Sequence, residues 1–491
     1  MEVELKLQIP EASRAAVRRA VATGTARTER LVARYLDTPD RRLAAAGVAV
    51  RLRREAGRWV QTVKAARGAA VARLEHEVVL PAQRGVPTFD AARHAGSDAG
   101  EALQRALGDD AAPLELVFEA DVRRTHRLLR SGGATIELAL DVGTLRAGSS
   151  RAPLHEIEFE LKAGTVAALV ALAARWAARH RLWLDLRTKA ERGHLLAAGH
   201  SASPPALAQP PALQPRMGRD AALRTMVGAA LAQALPNASA LAAGCGEAGH
   251  LHQLRVALRR LRSLLRVYGA DLEPLDPHWE PQAGELFGAL GATRDADALR
   301  DGVWPVLIEA GAPRFDWPVA ASAMPVAECL QSVEANRLWL ALLGYAHGDA
   351  GPVADEPPLL DQLAPRLRRL HRQVHRDARN YTAADIEQRH RTRRRVKRLR
   401  YCAEAIAALA PGNAMRRYLA GLRPIQEALG DYNDLLIAEA LLARDDLVEP
   451  GHWFARGWLA AARETALGEA AAALRLLPAL PRRLKRSDRA R

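Results

Sequence analysis

Cysteine, aromatic side chains and long apolar runs are all scarce in this 491-residue chain. The three cysteines, Cys245, Cys329 and Cys402, are far apart and lack metal-ligand spacing, which excludes a disulfide framework and a zinc site and points to a reducing compartment. Aromatic residues are 4% of the chain, too few for a surface that reads single strands by stacking bases. No apolar run reaches membrane-spanning length, and Met1 to Lys6 shows no basic stretch leading into an apolar one. The expectation is a soluble, cytoplasmic protein with no membrane partner. Basic charge is abundant: 71 lysines and arginines against 56 acids leave a formal charge of +15 and favour polyanionic partners. With bases disfavoured, phosphate chemistry is the better match.

The length predicts two or three domains. The proline-rich, uncharged run from Ser201 to Pro215 separates regions of different texture. Before it, charged and apolar residues alternate at period two, the mark of strands; after it, arginine and leucine recur at three and four, the mark of helices. These patterns predict domains at 1–200 and 217–485, joined by a linker at 201–216.

In the first domain Glu2, Glu4 and Lys6 share one face of a strand whose other face carries Val3, Leu5 and Leu7. The alternation recurs at Arg51 and Arg53; at Arg73, Glu75 and Glu77; at Asp121 and Arg123; at Glu137 and Asp141; and at Glu156, Glu158, Glu160 and Lys162. Lys64 lies on a further strand-like run. Like charges on one face repel unless counter-charge sits among them. Closing these strands into an antiparallel β-barrel, charged face inward and helices outside, gives a tunnel in which basic groups hold phosphate oxygens and carboxylates hold divalent metal. Tyr35 and Lys64 are the candidate proton-handling pair.

The ordered set Glu2-x-Glu4-x-Lys6, Tyr35-Leu-Asp37-Thr38, Arg51-x-Arg53, Thr62-x-Lys64, Arg73-x-Glu75-x-Glu77, Asp141-x-Gly143, Glu156/Glu158/Glu160 and Lys189-x-x-Arg192 resembles the CYTH domain of the triphosphate tunnel metalloenzymes. That family includes thiamine triphosphatases, class IV adenylyl cyclases and inorganic triphosphatases. The resemblance implies that Glu2, Glu4, Asp141, Glu156 and Glu158 bind Mg2+ or Mn2+, and that Lys6, Arg51, Arg53, Lys64, Arg123, Lys189 and Arg192 hold the triphosphate. Glu160 and Glu137 are weaker metal candidates, and Glu75 and Glu77 balance neighbouring arginines.

In the second domain His252, Arg255, Arg259, Arg262 and Arg266 follow at steps of three and four and form one helical stripe. His390, Arg393, Lys397 and Arg400 repeat it at an offset of 138. The segments Leu290 to Asp295 and Leu429 to Asp434 close the two copies, so an all-α domain of two repeated bundles is expected. His371, His375 and Arg379 form a shorter stripe. Such regular like-charge rows need a bound anion or counter-charge. The repeats resemble the CHAD domain, a helical family associated with polyphosphate, which implies polyphosphate binding by the two stripes, His252 to Arg262 and His390 to Arg400.

Taken together, these features predict a metal-dependent hydrolase of inorganic triphosphate with a polyphosphate-binding helical domain, possible association with polyphosphate granules, and no nucleic-acid partner. The alternatives are an organic-triphosphate hydrolase and a non-catalytic polyphosphate-binding protein. The intact carboxylate set favours the enzyme, because acids repel an anion unless metal intervenes.

Overall fold

The computed structural model describes residues 2–55, 57–66, 72–108, 113–272, 275–291, 302–315, 324–350, 356–443 and 449–485. The N-terminal elements run β1 (Glu2–Gln8), α1 (Arg14–Val21), β2 (Arg27–Asp37), α2 (Arg42–Ala45), β3 (Val48–Glu55), β4 (Arg58–Ala66), β5 (Ala72–Val79), α3 (Asp98–Leu107), β6 (Glu115–Ser131), β7 (Ala134–Ala147), β8 (Ser150–Ala163), α4 (Val166–His180), β9 (Trp183–Leu184) and α5 (Lys189–Ala198). The strands form one antiparallel sheet in the order β5-β4-β3-β2-β6-β7-β8-β1-β9.

Period-two patterning sets the two faces of this sheet. Leu5, Leu7, Leu138, Leu140, Ile157 and Phe159 point outward and are buried, with α4 packed over β1 and β8 and Phe159 edge-on to Trp176. Val48, Val50, Val63 and Ala65 are covered in the same way by Ala99 and Leu103 of α3. Each such large apolar side chain contributes about 1.5–3 kcal/mol when fully buried. The apolar face therefore faces the helices, and the charged face is left to line the concave side.

The expected barrel is corrected in one respect: the sheet is not zipped shut along its length. β1 lies along β8 over five register pairs, Glu4↔Glu160 to Gln8↔Glu156. Among the described residues it meets β5 at Glu2↔Arg73 and Val3↔Ala72. The reason is that β1 is seven residues long and shares its second edge with β9, at Leu7↔Leu184 and Gln8↔Trp183.

The C-terminal elements are α6 (Arg219–Ala242), α7 (Ala248–Tyr268), α8 (Trp279–Ala289), α9 (Trp304–Glu309), α10 (Val326–Gln331), α11 (Val333–His347), α12 (Leu359–Arg379), α13 (Ile386–Ala405), α14 (Asn413–Leu442), α15 (Pro450–Arg475) and α16 (Arg482–Lys485). The chain divides into two compact units that are not sequential segments. One holds residues 1–207, 231–253 and 327–348, and the other 208–230, 254–326 and 349–491. Two observations within the first unit show why 231–253 and 327–348 join it. Asn336 Oδ1 of α11 accepts from the Leu184 amide at 2.7 Å, and Ser239 Oγ of α6 accepts from Leu186 at 3.0 Å. The helix α6 is rich in alanine and leucine on every side, as a helix buried all round must be.

In the second unit α7 and α13 pack together: Tyr268 donates its hydroxyl to Cys402 O at 2.9 Å, and Arg260 pairs with Glu404 at 3.0 Å. Each of these helices carries one copy of the His-x-x-Arg stripe. The second closing segment, Leu429 to Asp434, falls inside α14. Arg294 and Asp295 of the first lie outside the described residues.

Candidate active site

The concave face of the sheet and the start of α5 enclose a cavity of about 1020 Å³. Glu4, Lys6, Tyr35, Arg51, Arg53, Lys64, Asp141, Glu158 and Lys189 all line it. Strand register explains the assembly. On the acidic side Asp141 of β7 lies between Arg124 of β6 and Glu156 of β8, while Lys6 and Gln8 of β1 lie opposite Glu158 and Glu156.

Asp141, Glu156 and Glu158 each offer an oxygen within 4.8 Å of the others'. Asp141 and Glu156 are fully buried and Glu158 nearly so. Lys189 Nζ stands among them, 2.8 Å from Asp141 Oδ2, 2.7 Å from Glu156 Oε1 and in contact with Glu158 Oε1. Arg124 grips Asp141 through Nε at 2.8 Å and Nη2 at 2.6 Å, and also contacts Glu158. Arg192 Nη1 reaches Glu156 at 3.2 Å, and Lys6 Nζ lies 3.7 Å from the same oxygen. Burial raises the pKa of Asp141 and Glu158, but Lys189 and Arg124 outweigh it and hold both carboxyls below the usual carboxylate range. Burial opposes the Lys189 charge too, and Asp141, Glu156 and Glu158 outweigh it, so the ammonium stays charged.

The other wall is basic and internally balanced. Arg51 Nη2 lies 3.3 Å from Glu77 and 3.7 Å from Glu75. Arg53 pairs with Glu55 at 2.7 Å and with Glu77 at 3.5 Å, and Lys64 pairs with Glu75 at 3.0 Å. Glu75 and Glu77 thus act as counter-charges, as the sequence suggested. Burial works against the Arg51 charge, while the Tyr35 hydroxyl and these two glutamates push its pKa above the ordinary arginine value. Tyr35 stacks on Phe118 with ring centroids 4.3 Å apart. Glu160 and Glu137 also line the cavity and are paired with Lys162.

One predicted residue falls elsewhere. Arg123 is exposed on the opposite face of β6, beside Thr28, Arg30 and Asp121; Arg124 takes the inward position. A period-two pattern shows which residues share a face, not which face is enclosed. The side chain of Glu2 lies outside what is described. Sequence reading also missed Asp185, which is fully buried, accepts from Gln8 Nε2 at 3.1 Å and anchors Arg187 at 2.9 Å. Its only signal is adjacency to the Lys189 segment.

The helix α5 is seated by a glycine. A Cβ on Gly193 would lie 2.2 Å from the Phe118 ring, so this residue lets the helix approach closely enough for Lys189 and Arg192 to reach the carboxylates. Gly193→Ala is expected to cost about 1–3 kcal/mol of stability through overpacking, read by denaturant unfolding, and to raise KM for the substrate.

In the helical unit Arg255 is buried and Arg259, Arg393 and Lys397 are partly buried. Arg255 lies over the Phe287 ring at 4.2 Å and donates to Phe287 O at 3.2 Å, with Arg259 over the same ring at 5.7 Å. Lys397 is pushed down to about 6 by burial and by Arg259 and Arg393. Arg393 lies 3.7 Å from Asp434, and His390 Nδ1 meets Asn433 Oδ1 at 3.1 Å. Three members of the stripes are engaged with glutamates: Arg262 and Arg266 with Glu280 at 3.0 and 2.8 Å, and Arg400 with Glu404 at 2.8 Å. His371 of the shorter stripe bonds Tyr418 at 3.0 Å, while His375 is exposed. His252 lies in the other compact unit.

The model of the CYTH domain matches residues 1–194 and that of the CHAD domain residues 225–443. An inorganic triphosphatase of Haemophilus influenzae is 32% identical over 165 residues, 33% of this chain and 44% of the relative, so the match spans under half of that protein. The crystal structure of the CHAD domain from the plant Ricinus communis is 28% identical, covering 56% of this chain and 98% of that one at a TM-score of 0.45. A candidate adenylyl cyclase from Hippeastrum with a dominant triphosphatase activity is 17% identical, covering 40% and 96% at a TM-score of 0.30. This chain belongs to the proteins in which a CYTH domain, here residues 1–194, is followed by a CHAD domain, here residues 225–443.

Proposed function

We propose that the chain hydrolyses inorganic triphosphate to diphosphate and phosphate with the help of Mg2+ or Mn2+, and that its helical domain binds polyphosphate. The observation that carries the first part is one cavity that holds both a close set of carboxylates and a set of arginines and lysines. Three close carboxylates offer the all-oxygen set that hard divalent cations require, so the residues fit the metal. Glu4 of β1, which lines the same cavity, is the proposed addition to that set. When bound, the metal supplies positive charge against the phosphoryl oxygens as the terminal group leaves.

The chain's own residues do the rest. Arg51 and Arg53 bind phosphate oxygens in the planar, two-pronged way that guanidinium allows. Lys6, Lys64, Lys189 and Arg192 complete the clamp, and Tyr35, beside Arg51, is the group that would pass a proton with Lys64. The inorganic substrate is preferred because, among the described residues, the cavity is lined mainly by charged and aliphatic side chains, and its tyrosine, Tyr35, is already stacked on Phe118.

The test is phosphate release from triphosphate, ATP, thiamine triphosphate and long-chain polyphosphate with Mg2+ or Mn2+, comparing wild type with Glu4→Gln. Strong release from triphosphate that the substitution abolishes supports the reading; preference for ATP or thiamine triphosphate would move it to an organic substrate. No release from any of them, with tight polyphosphate binding, would leave a binding protein.

For the helical domain, taken as residues 217–485 in two repeats beyond a linker at 201–216, the Arg255, Arg259, Arg393 and Lys397 cluster is the proposed polyphosphate seat. Because Lys397 is depressed to about 6 by burial and neighbouring arginines, its amine is mostly neutral at pH 7. A bound polyanion would raise that pKa, so binding is expected to take up protons near neutral pH and to strengthen as pH falls from 8 to 6. Calorimetry in buffers of different ionisation enthalpy reads the uptake, which Lys397→Met should remove.

A further inference from the structure

The ammonium of Lys189 stands where a cation shared by the three carboxylates would stand. It is 2.7–2.8 Å from Asp141 and Glu156 and touches Glu158, and these are the same three groups whose oxygens lie within 4.8 Å of one another. A hard divalent ion needs those oxygens at about 2.0–2.6 Å, and it cannot share them with an ammonium at contact distance, since two like charges a few ångströms apart in a buried site repel strongly. The neighbouring cation is differently held. Arg124 grips Asp141 through two nitrogens, a planar arrangement that leaves the other side of each carboxylate available. Lys189 is a point charge on a flexible stem, at the first position of α5, and it lines the same cavity as Lys6, Arg51 and Lys64.

Resting on the metal-dependent reading above, we propose that Lys189 is an internal counter-cation of the Asp141, Glu156 and Glu158 triad that divalent metal must displace. Its ammonium is thereby released to the substrate's phosphate only once the metal is seated. The triad is then never left uncompensated, and metal binding and the completion of the phosphate clamp become one coupled event. By reciprocity, a triphosphate that draws Lys189 away raises the affinity of the triad for metal.

Direct Mn2+ binding to the full chain, followed by electron paramagnetic resonance without substrate, tests this. Lys189→Met is expected to bind Mn2+ about tenfold more tightly than wild type. Lys189→Arg keeps the charge and adds a second prong, and should bind more weakly than wild type. Lys162→Met, which removes a cation of the same cavity that is paired with Glu160 and Glu137, should change the affinity by less than about twofold. Equal affinity in wild type and Lys189→Met, or an equal gain in Lys162→Met, would overturn the displacement. Should Lys189→Met not fold without metal, the Lys189→Arg comparison stands alone, and tighter or unchanged binding there overturns the proposal. A wild type that binds no Mn2+ at millimolar concentration would instead remove the metal reading itself, and this inference with it.

Discussion

Glu158→Gln is expected to lower metal-dependent phosphate release from triphosphate by about 10²- to 10³-fold, the scale on which one charged group at the reacting centre acts. Glu158 is nearly buried and touches both Lys189 and Arg124, and its carboxyl stays ionised because those cations outweigh the desolvation. The amide keeps the shape but supplies neither the negative charge nor two equivalent acceptor oxygens. Steady-state kinetics over a range of Mn2+ concentration separates two causes. Partial recovery at high metal identifies Glu158 as a metal-holding group, whereas a uniform loss identifies it as a partner that positions Lys189.

Asp141→Ala is expected to cost about 3–5 kcal/mol of stability, because removing one member of a buried ion cluster strands its partners. Asp141 is fully buried and takes two bonds from Arg124 and one contact from Lys189. Without it, those cations share two carboxylates with Arg192 and Lys6. The depressed pKa fixes the sign of the pH effect. Asp141 stabilises the fold above the ordinary carboxylate range, and that contribution is lost as pH falls through its lower folded value. Denaturant melts of wild type and variant should therefore differ most near neutral pH and converge in acid.

Much of the site was legible because charge on a strand is costly unless it is used. Glu4 and Lys6, Arg51 and Arg53, and Glu156 and Glu158 each stand two apart, and the register puts every one of these pairs on the concave side. On β6 the same rule selected Asp121 and Arg123, which share a face, but that face is the outer one; Val122, Arg124 and His126 point inward. Choosing between them requires knowing that Tyr35 pairs with Phe118, a long-range register that no local period contains. The proline-rich run marks a change in composition along the chain. The compact units nonetheless cut elsewhere, because α6 and α11 bury polar caps for Leu184 and Leu186 far back in the chain.

The short seam between β1 and β5 sets how the wall of the cavity loosens. With two register pairs there among the described residues, and the opposite edge of β1 held by β8 over five, a weak line in the sheet runs beside the strand that presents Glu4 and Lys6. Sub-global opening in proteins begins where the fewest hydrogen bonds must break. Parting along β1 and β5 would break two register pairs while the longer ladders stayed closed, and would widen the cavity sideways. Parting there would give a linear phosphate chain a lateral way in, so that its ends need not be threaded.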